Sequence, residues 1–161
     1  MKIAIASGKG GTGKTTLSVN LADYISRSLS LDVVLADLDV EEPNSGLFLS
    51  KELQSEMIAY RAVPEWDETK CTFCGNCAKL CNFNAIARLP KTILVFNELC
   101  HSCFACSELC PEAALPMKDS ETGKICHYHI SSSFQFVEGV LNVGQESAVP
   151  LIKQTKEKAE Q

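Results

Sequence analysis

The chain of 161 residues has the length of one ordinary domain or two small ones, which excludes a large multidomain machine. Its 45% hydrophobic and 22% charged residues suit a folded core and exclude a disordered or collagenous chain. The formal charge of −5 supplies no broad positive field for nucleic acid phosphates or anionic lipid, so no nucleic acid partner is expected. Nine cysteines are the anomaly. All but Cys126 lie between Cys71 and Cys110, too local for a disulfide framework spread over a secreted domain, and the clustering points to metal. No apolar run reaches the ~18–20 residues of a membrane span, and the apolar start breaks at Ser7-Gly8, too early for a signal peptide. The expected compartment is the reducing cytoplasm.

In chain order, Lys2 to Ala6 reads as a short buried strand, followed by the glycine-rich turn Ser7 to Gly13. An amphipathic helix follows from about Lys14 to Leu29, apolar at Leu17, Leu21, Tyr24, Ile25 and Leu29. Leu31 to Ala36 reads as a second buried strand, parallel to the first through a right-handed crossover, and ends in Asp37-Leu38-Asp39. A turn-rich Glu41 to Gly46 leads into a less regular stretch to about Arg61. Residues 62–118, dense in cysteine, read as an inserted domain between the segments 1–61 and 119–161. Lys124 to Ile130 and Phe134 to Val140 read as strands, and Gln145 to Gln161 as a helix.

The first chemical motif is Gly8-Lys9-Gly10-Gly11-Thr12-Gly13-Lys14-Thr15, a full G-x-x-x-x-G-K-[ST] match in the required strand-to-helix context. Glycines let backbone N–H groups wrap phosphate oxygens, and the following helix adds its positive end. Lys14 is expected to reach the β/γ-phosphates and Thr15 to hold Mg2+. The string Lys9 to Thr16 resembles the deviant Walker A motif of the MinD/ParA family of P-loop ATPases. That resemblance implies that Lys9 is a signature lysine reaching across a nucleotide-sandwich homodimer to the partner's ATP. Asp37 and Asp39 resemble the family's D-x-D, which implies Asp37 near the Mg2+ shell and Asp39 positioning the attacking water. Taken alone, two aspartates after a strand are as readily solvated or capping groups. Pro43 and Asn44 extend the likeness, although turn-making explains them equally well.

The second motif is Cys71-x2-Cys74-x2-Cys77-x3-Cys81 followed by Cys100-x2-Cys103-x2-Cys106-x3-Cys110-Pro111, the spacing of bacterial two-cluster ferredoxins. It is also an internal repeat. Each cysteine recurs 29 positions later, as do Leu80 and Leu109, Ala85 and Ala114, and Ile86 and Leu115. Three thiolates on a tight loop take three corners of a cubane, and the fourth, on the short helix that follows, serves the other cluster. The expected ligand sets are therefore Cys71, Cys74, Cys77 and Cys110 for one [4Fe-4S] cluster, and Cys100, Cys103, Cys106 and Cys81 for the other. Zinc and disulfides are the alternatives; zinc leaves the third and fourth cysteines of each run unexplained. Asn82 stands where the second repeat has Pro111, a change that removes no ligand. Two clusters of about −2 each would take the chain to about −9 and suit a basic redox partner.

Other residues carry weaker signals. Cys126 and His127 fall on opposite strand faces, so a buried thiol beside ordinary histidines, His129 included, is expected. His101 is expected to line a cluster's surroundings, Phe73 and Phe104 to pack around the clusters, and Trp66 to pack the domain junction.

The combination resembles the MinD-superfamily ATPases that carry an inserted two-cluster ferredoxin domain. This implies an α/β fold: a partial P-loop parallel sheet with an inserted α+β ferredoxin-like domain. The family continues with a strand ending in D-x-P-x-G, and no D-x-x-G follows the P-loop here. The chain is therefore expected to be an N-terminal half whose open sheet edge seeks a partner, with hydrolysis by this piece alone in doubt. The resemblance implies an ATP-dependent iron–sulfur protein using Mg-ATP to gate electron transfer. A ferredoxin-type carrier with a nucleotide-binding scaffold, or an ATP-dependent cluster carrier, is the alternative.

Overall fold

A computed structural model describes all residues from Met1 to Gln161. Backbone contacts divide the chain into two compact units. One comprises Met1–Ile58, Gly123–Leu141 and Leu151–Gln161, and the other Ala59–Thr122 and Asn142–Pro150.

In the first unit, α1 (Lys14–Leu29) buries Val19, Ala22 and Ser26, an i, i+3, i+7 stripe that faces the sheet at helical spacing. Its last turn closes on Ser30 in the left-handed region, whose N–H returns to the Ile25 carbonyl. The strand β1 (Val33–Asp37) pairs in parallel with β6 (Phe134–Leu141), Val33 opposite Phe134 and Asp37 opposite Glu138. The strand β6 runs antiparallel to β5 (Met117–Ser131), and β2 (Glu52–Pro64) completes the order β1-β6-β5-β2. The sheet is mixed, β1 parallel and β5 antiparallel to β6, where a parallel sheet was expected. Helix α1 lies on β1, on β6 and on the 3-10 turn Ser45–Phe48. Helix α4 (Val149–Ala159) sits so close to β6 that a Cβ on Gly139 would meet Thr155 Oγ1 at 2.3 Å and Val40 Cγ1 at 2.8 Å. Phe134, Phe136, Ile125, Val137 and Leu151 fill this core.

Several expectations need correcting. Lys2 to Ala6 forms no strand, and only Ile5 in it is even partly covered. An apolar run becomes a central parallel strand only when neighbours take both its edges and cover both its faces, and here the parallel partner of β1 is β6. The stretch before Arg61 is not irregular but the 13-residue β2, whose first seven positions are all exposed, so that no apolar alternation marks it. The strand expected at Lys124 to Ile130 is the later part of the longer β5. The last helix starts at Val149 rather than Gln145, with Pro150 in its first turn, where a missing N–H costs nothing.

The second unit holds the hairpin of β3 (Ile86–Leu89) and β4 (Thr92–Val95) and two short helices, α2 (Asn76–Leu80) and α3 (Ala105–Glu108). The two helices pack on each other. Ile86, Ile93 and Leu115 form its core, flanked by Trp66, Cys71, Cys77, Cys81 and Cys106. Buried Arg61 donates to the carbonyls of Cys100 and Asn97 and to Gln145 Oε1, clamping the start of the second cysteine run.

Candidate functional site

The glycine-rich segment Gly8 to Gly13 leads straight into α1, with Gly11 (φ 72°) and Gly13 (φ 84°) in the left-handed region. Gly13 is the N-cap and has no side chain to bond the first-turn amides, and no acidic residue stands in that turn. The helix start therefore keeps its positive end open. Within the loop, Thr12 Oγ1 donates to Ser7 Oγ at 2.7 Å and Ser7 Oγ to the Lys9 carbonyl at 2.9 Å. Gly8, Lys9, Gly10, Gly11, Thr12 and Thr16 are exposed, while Lys14 and Thr15 are half-buried in the first turn.

At the C-terminal end of β1, buried Asp37 uses both carboxylate oxygens: Oδ1 accepts the Asp39 N–H at 3.1 Å and Oδ2 the Ser45 N–H at 3.0 Å. It thereby ties down the turn that carries exposed Asp39. Glu138, in register with Asp37, was not anticipated. It is 6% exposed and its Oε1 takes Lys51 Nζ at 2.9 Å and Tyr128 OH at 2.8 Å. The sequence signal was parity, because Phe134, Phe136 and Glu138 share one strand face. Burial, with Glu138 as hydrogen-bond acceptor, pushes the Tyr128 hydroxyl pKa up.

The cysteine-rich unit contains two cavities of about 390 and 370 Å³ of empty space, counting mouths open to solvent. Cys71, Cys74, Cys77 and Cys110 line the first; Cys81, Cys100, Cys103 and Cys106 line the second. The walls repeat: Thr72, Gly75, Asn76, Ala114 and Leu115 of the first correspond, 29 positions away, to His101, Phe104, Ala105, Ala85 and Ile86 of the second. The backbone repeats as well. The non-helical left-handed positions come in pairs at Phe73 and Ser102, Gly75 and Phe104, and Asn84 and Ala113.

The same spacing governs the amides that face sulfur. Phe73 N–H donates to Cys71 Sγ and Ser102 N–H to Cys100 Sγ, both at 3.4 Å. Ala85 N–H donates to Cys81 Sγ and Ala114 N–H to Cys110 Sγ, both at 3.3 Å. Burial raises the Cys77 thiol pKa and pushes that of Cys106 up to about 11. No three histidine, cysteine or acidic side chains converge closely enough to share one metal ion. Soft thiol donors, four to a cavity and pre-bonded by amides, fit an iron–sulfur centre.

The weaker signals fall as follows. His101 lines the second cavity and stacks on Phe83, centroids 3.9 Å apart and rings 9° from parallel. Phe104 is in the same wall, and Phe73 meets Trp66 edge-on at 6.0 Å. Trp66 lies in the wall of the first cavity. Cys126 is a buried thiol whose Sγ donates to Glu56 Oε2 at 3.5 Å, while His127 Nε2 pairs with Gln135. No helix is long and apolar enough to cross a membrane.

A family model described as the CobQ/CobB/MinD/ParA nucleotide binding domain matches residues 3–155. An uncharacterized protein of Methanocaldococcus jannaschii is 33% identical over 160 residues, 99% of this chain and 55% of that protein. A second uncharacterized protein of the same organism is 30% identical over 163 residues, 97% of this chain and 55% of its own length. The chromosome-partitioning ATPase Soj of Thermus thermophilus is 51% identical over 47 residues, 29% of this chain and 18% of that protein. The chain thus spans about half the length of the two archaeal relatives.

Proposed function

The chain belongs to the CobQ/CobB/MinD/ParA nucleotide-binding family, and on that footing we propose that it is an ATP-binding iron–sulfur protein. In this reading the nucleotide state gates electron transfer through two [4Fe-4S] clusters. The observation that carries the redox half is the composition of the two cavities, each walled by three cysteines of one run and the fourth of the other. Bound there, a cluster accepts and returns one electron at a time. Cys71, Cys74, Cys77 and Cys110 hold one, Cys100, Cys103, Cys106 and Cys81 the other, and the four amide donors to sulfur temper the charge of the reduced state.

On the nucleotide side, the open start of α1 and the Gly8 to Gly13 loop cradle phosphate, Lys14 neutralises it, and Thr15 with Asp37 orders Mg2+. Asp39, held outward by the Asp37 turn, positions water, and Lys9 reaches the ATP of a second protomer. Closure of such a homodimer, or pairing with the remainder of a longer protein, changes which cluster a redox partner can approach. That partner offers a basic surface to an acidic protein, and the compartment is the cytoplasm.

The test is anaerobic purification followed by iron and sulfide analysis and EPR of the dithionite-reduced protein, with and without Mg-ATP. About eight iron and eight sulfide per chain, two interacting reduced cubanes, and an ATP-dependent spectrum are expected. Zinc, or no metal under strict anaerobiosis, overturns the redox half. A second reading, a ferredoxin-type carrier that binds nucleotide without turnover, draws on the exposed Lys2 to Ala6 segment standing outside the sheet. An iron-replete protein with an ATP-independent spectrum selects it.

A further inference from the structure

Trp66 is the only tryptophan of the chain, and its ring carries an unmet donor. The Nε1 atom is buried and has no hydrogen-bond partner in the protein. An indole N–H can only donate, and a buried donor without an acceptor is a standing cost that folded proteins rarely keep. The same residue lines the cavity of Cys71, Cys74, Cys77 and Cys110.

The two cavities differ at this point. Most of their walls are equivalent at a spacing of 29 residues, but the position 29 after Trp66 is Val95, which is not in the second wall. There the residue from outside the repeat is Met117, a thioether with no hydrogen to give. Thr72 and Asn76 in the first wall and His101 in the second also carry O–H or N–H groups, but of these side chains only Trp66 has a fully buried donor atom with no partner.

We propose that Trp66 donates its indole N–H to a sulfur, cysteinyl or inorganic, of the centre held by Cys71, Cys74, Cys77 and Cys110, and so raises that centre's reduction potential above its twin's. A hydrogen bond to sulfur strengthens as negative charge accumulates there. Reduction from [4Fe-4S]2+ to [4Fe-4S]1+ adds one electron, exchanges no proton and breaks no bond, so the donor favours the reduced state and lifts the potential. The inference rests on the two-cluster reading and goes beyond it by ranking the two centres and naming the residue that ranks them.

The experiment is a dithionite titration of the holoprotein followed by EPR, for wild type and Trp66→Phe, with iron and sulfide measured on both. Phenylalanine keeps an aromatic ring in the wall and removes only the donor. The expected result is equal iron content, one midpoint unchanged, and the other lowered by about a tenfold change in the reduction constant, which for one electron is 59 mV. Pulsed EPR on reduced wild type carrying 15N-indole tryptophan needs no substitution, and a single tryptophan makes the label unambiguous. It should show the nitrogen and an exchangeable proton coupled to one cluster. Unchanged midpoints, or absent couplings in an iron-replete protein, overturn the inference while sparing the two-cluster reading. Wild type without iron overturns both.

Discussion

Glu138 offers the sharpest test of how the nucleotide-binding unit is held together. Its side chain is 8% exposed and that of Lys51 27%, and Lys51 Nζ also sits 4.3 Å from the centroid of Tyr128. The pair is far from a surface ion pair, so removing one partner strands a charge. In Lys51→Met the stranded group is the more buried carboxylate, left with the Tyr128 hydroxyl alone, and a cost of about 3–5 kcal/mol follows. In Glu138→Gln the amide oxygen still accepts from Tyr128 and the ammonium retains some water, which limits the cost to about 1.5–3 kcal/mol. The double variant should lose less than the sum of the two, because it strands no charge. Far-UV circular dichroism in urea is the assay: α1 and most of α4 belong to the first unit, whereas Trp66 fluorescence reports the second. Single variants within about 0.5 kcal/mol of wild type, or strictly additive losses, would falsify the reasoning.

Three further outcomes are expected. Cys110→Ser should abolish the same EPR signal as Cys74→Ser, and Cys81→Ser the same signal as Cys103→Ser; pairing by cysteine run instead would contradict the crossed ligand sets. Gly75→Ala should destabilise the cysteine-rich unit by about 1–2 kcal/mol in urea followed by Trp66 fluorescence, since φ is +80° there and the new Cβ would meet Arg88 Cδ at 2.9 Å. Lys14→Ala should weaken Mg-ATP binding at least about tenfold by calorimetry. Lys9→Ala should leave binding intact and abolish ATP-dependent dimerisation in sedimentation, and a normal dimer would remove the role assigned to that lysine.

What the sequence disclosed follows from which forces are local. Helix α1 spans Lys14 to Leu29 as expected, because its glycine-capped start is written into neighbouring residues, but the face expected to be buried was wrong: Leu17, Tyr24 and Leu29 are exposed, and the smaller Val19, Ala22 and Ser26 pack on the sheet instead. The cysteine spacing likewise defined which thiols line each cavity, although the third cysteine of each run, not the fourth, sits on the short helix, and Cys81 and Cys110 lie just beyond the ends of α2 and α3. Strands depended on distant partners. Lys2 to Ala6 has the composition of a strand and finds no ladder, while β2 has no apolar alternation and forms one. The ion pair of Lys51 and Glu138 joins positions 87 residues apart, and the orphaned Trp66 donor depends on what its surroundings fail to supply. Neither leaves a pattern in adjacent residues.

The matched left-handed residues at 73 and 102, 75 and 104, and 84 and 113 mean that one loop has been built twice. Two copies of a scaffold with equal ligands act as each other's control. Any gradient between them must come from the positions between the cysteines where the copies diverge, such as Thr72 against His101 or Asn82 against Pro111. Evolution can then set the direction of flow along the pair by changing single side chains, without disturbing a thiolate.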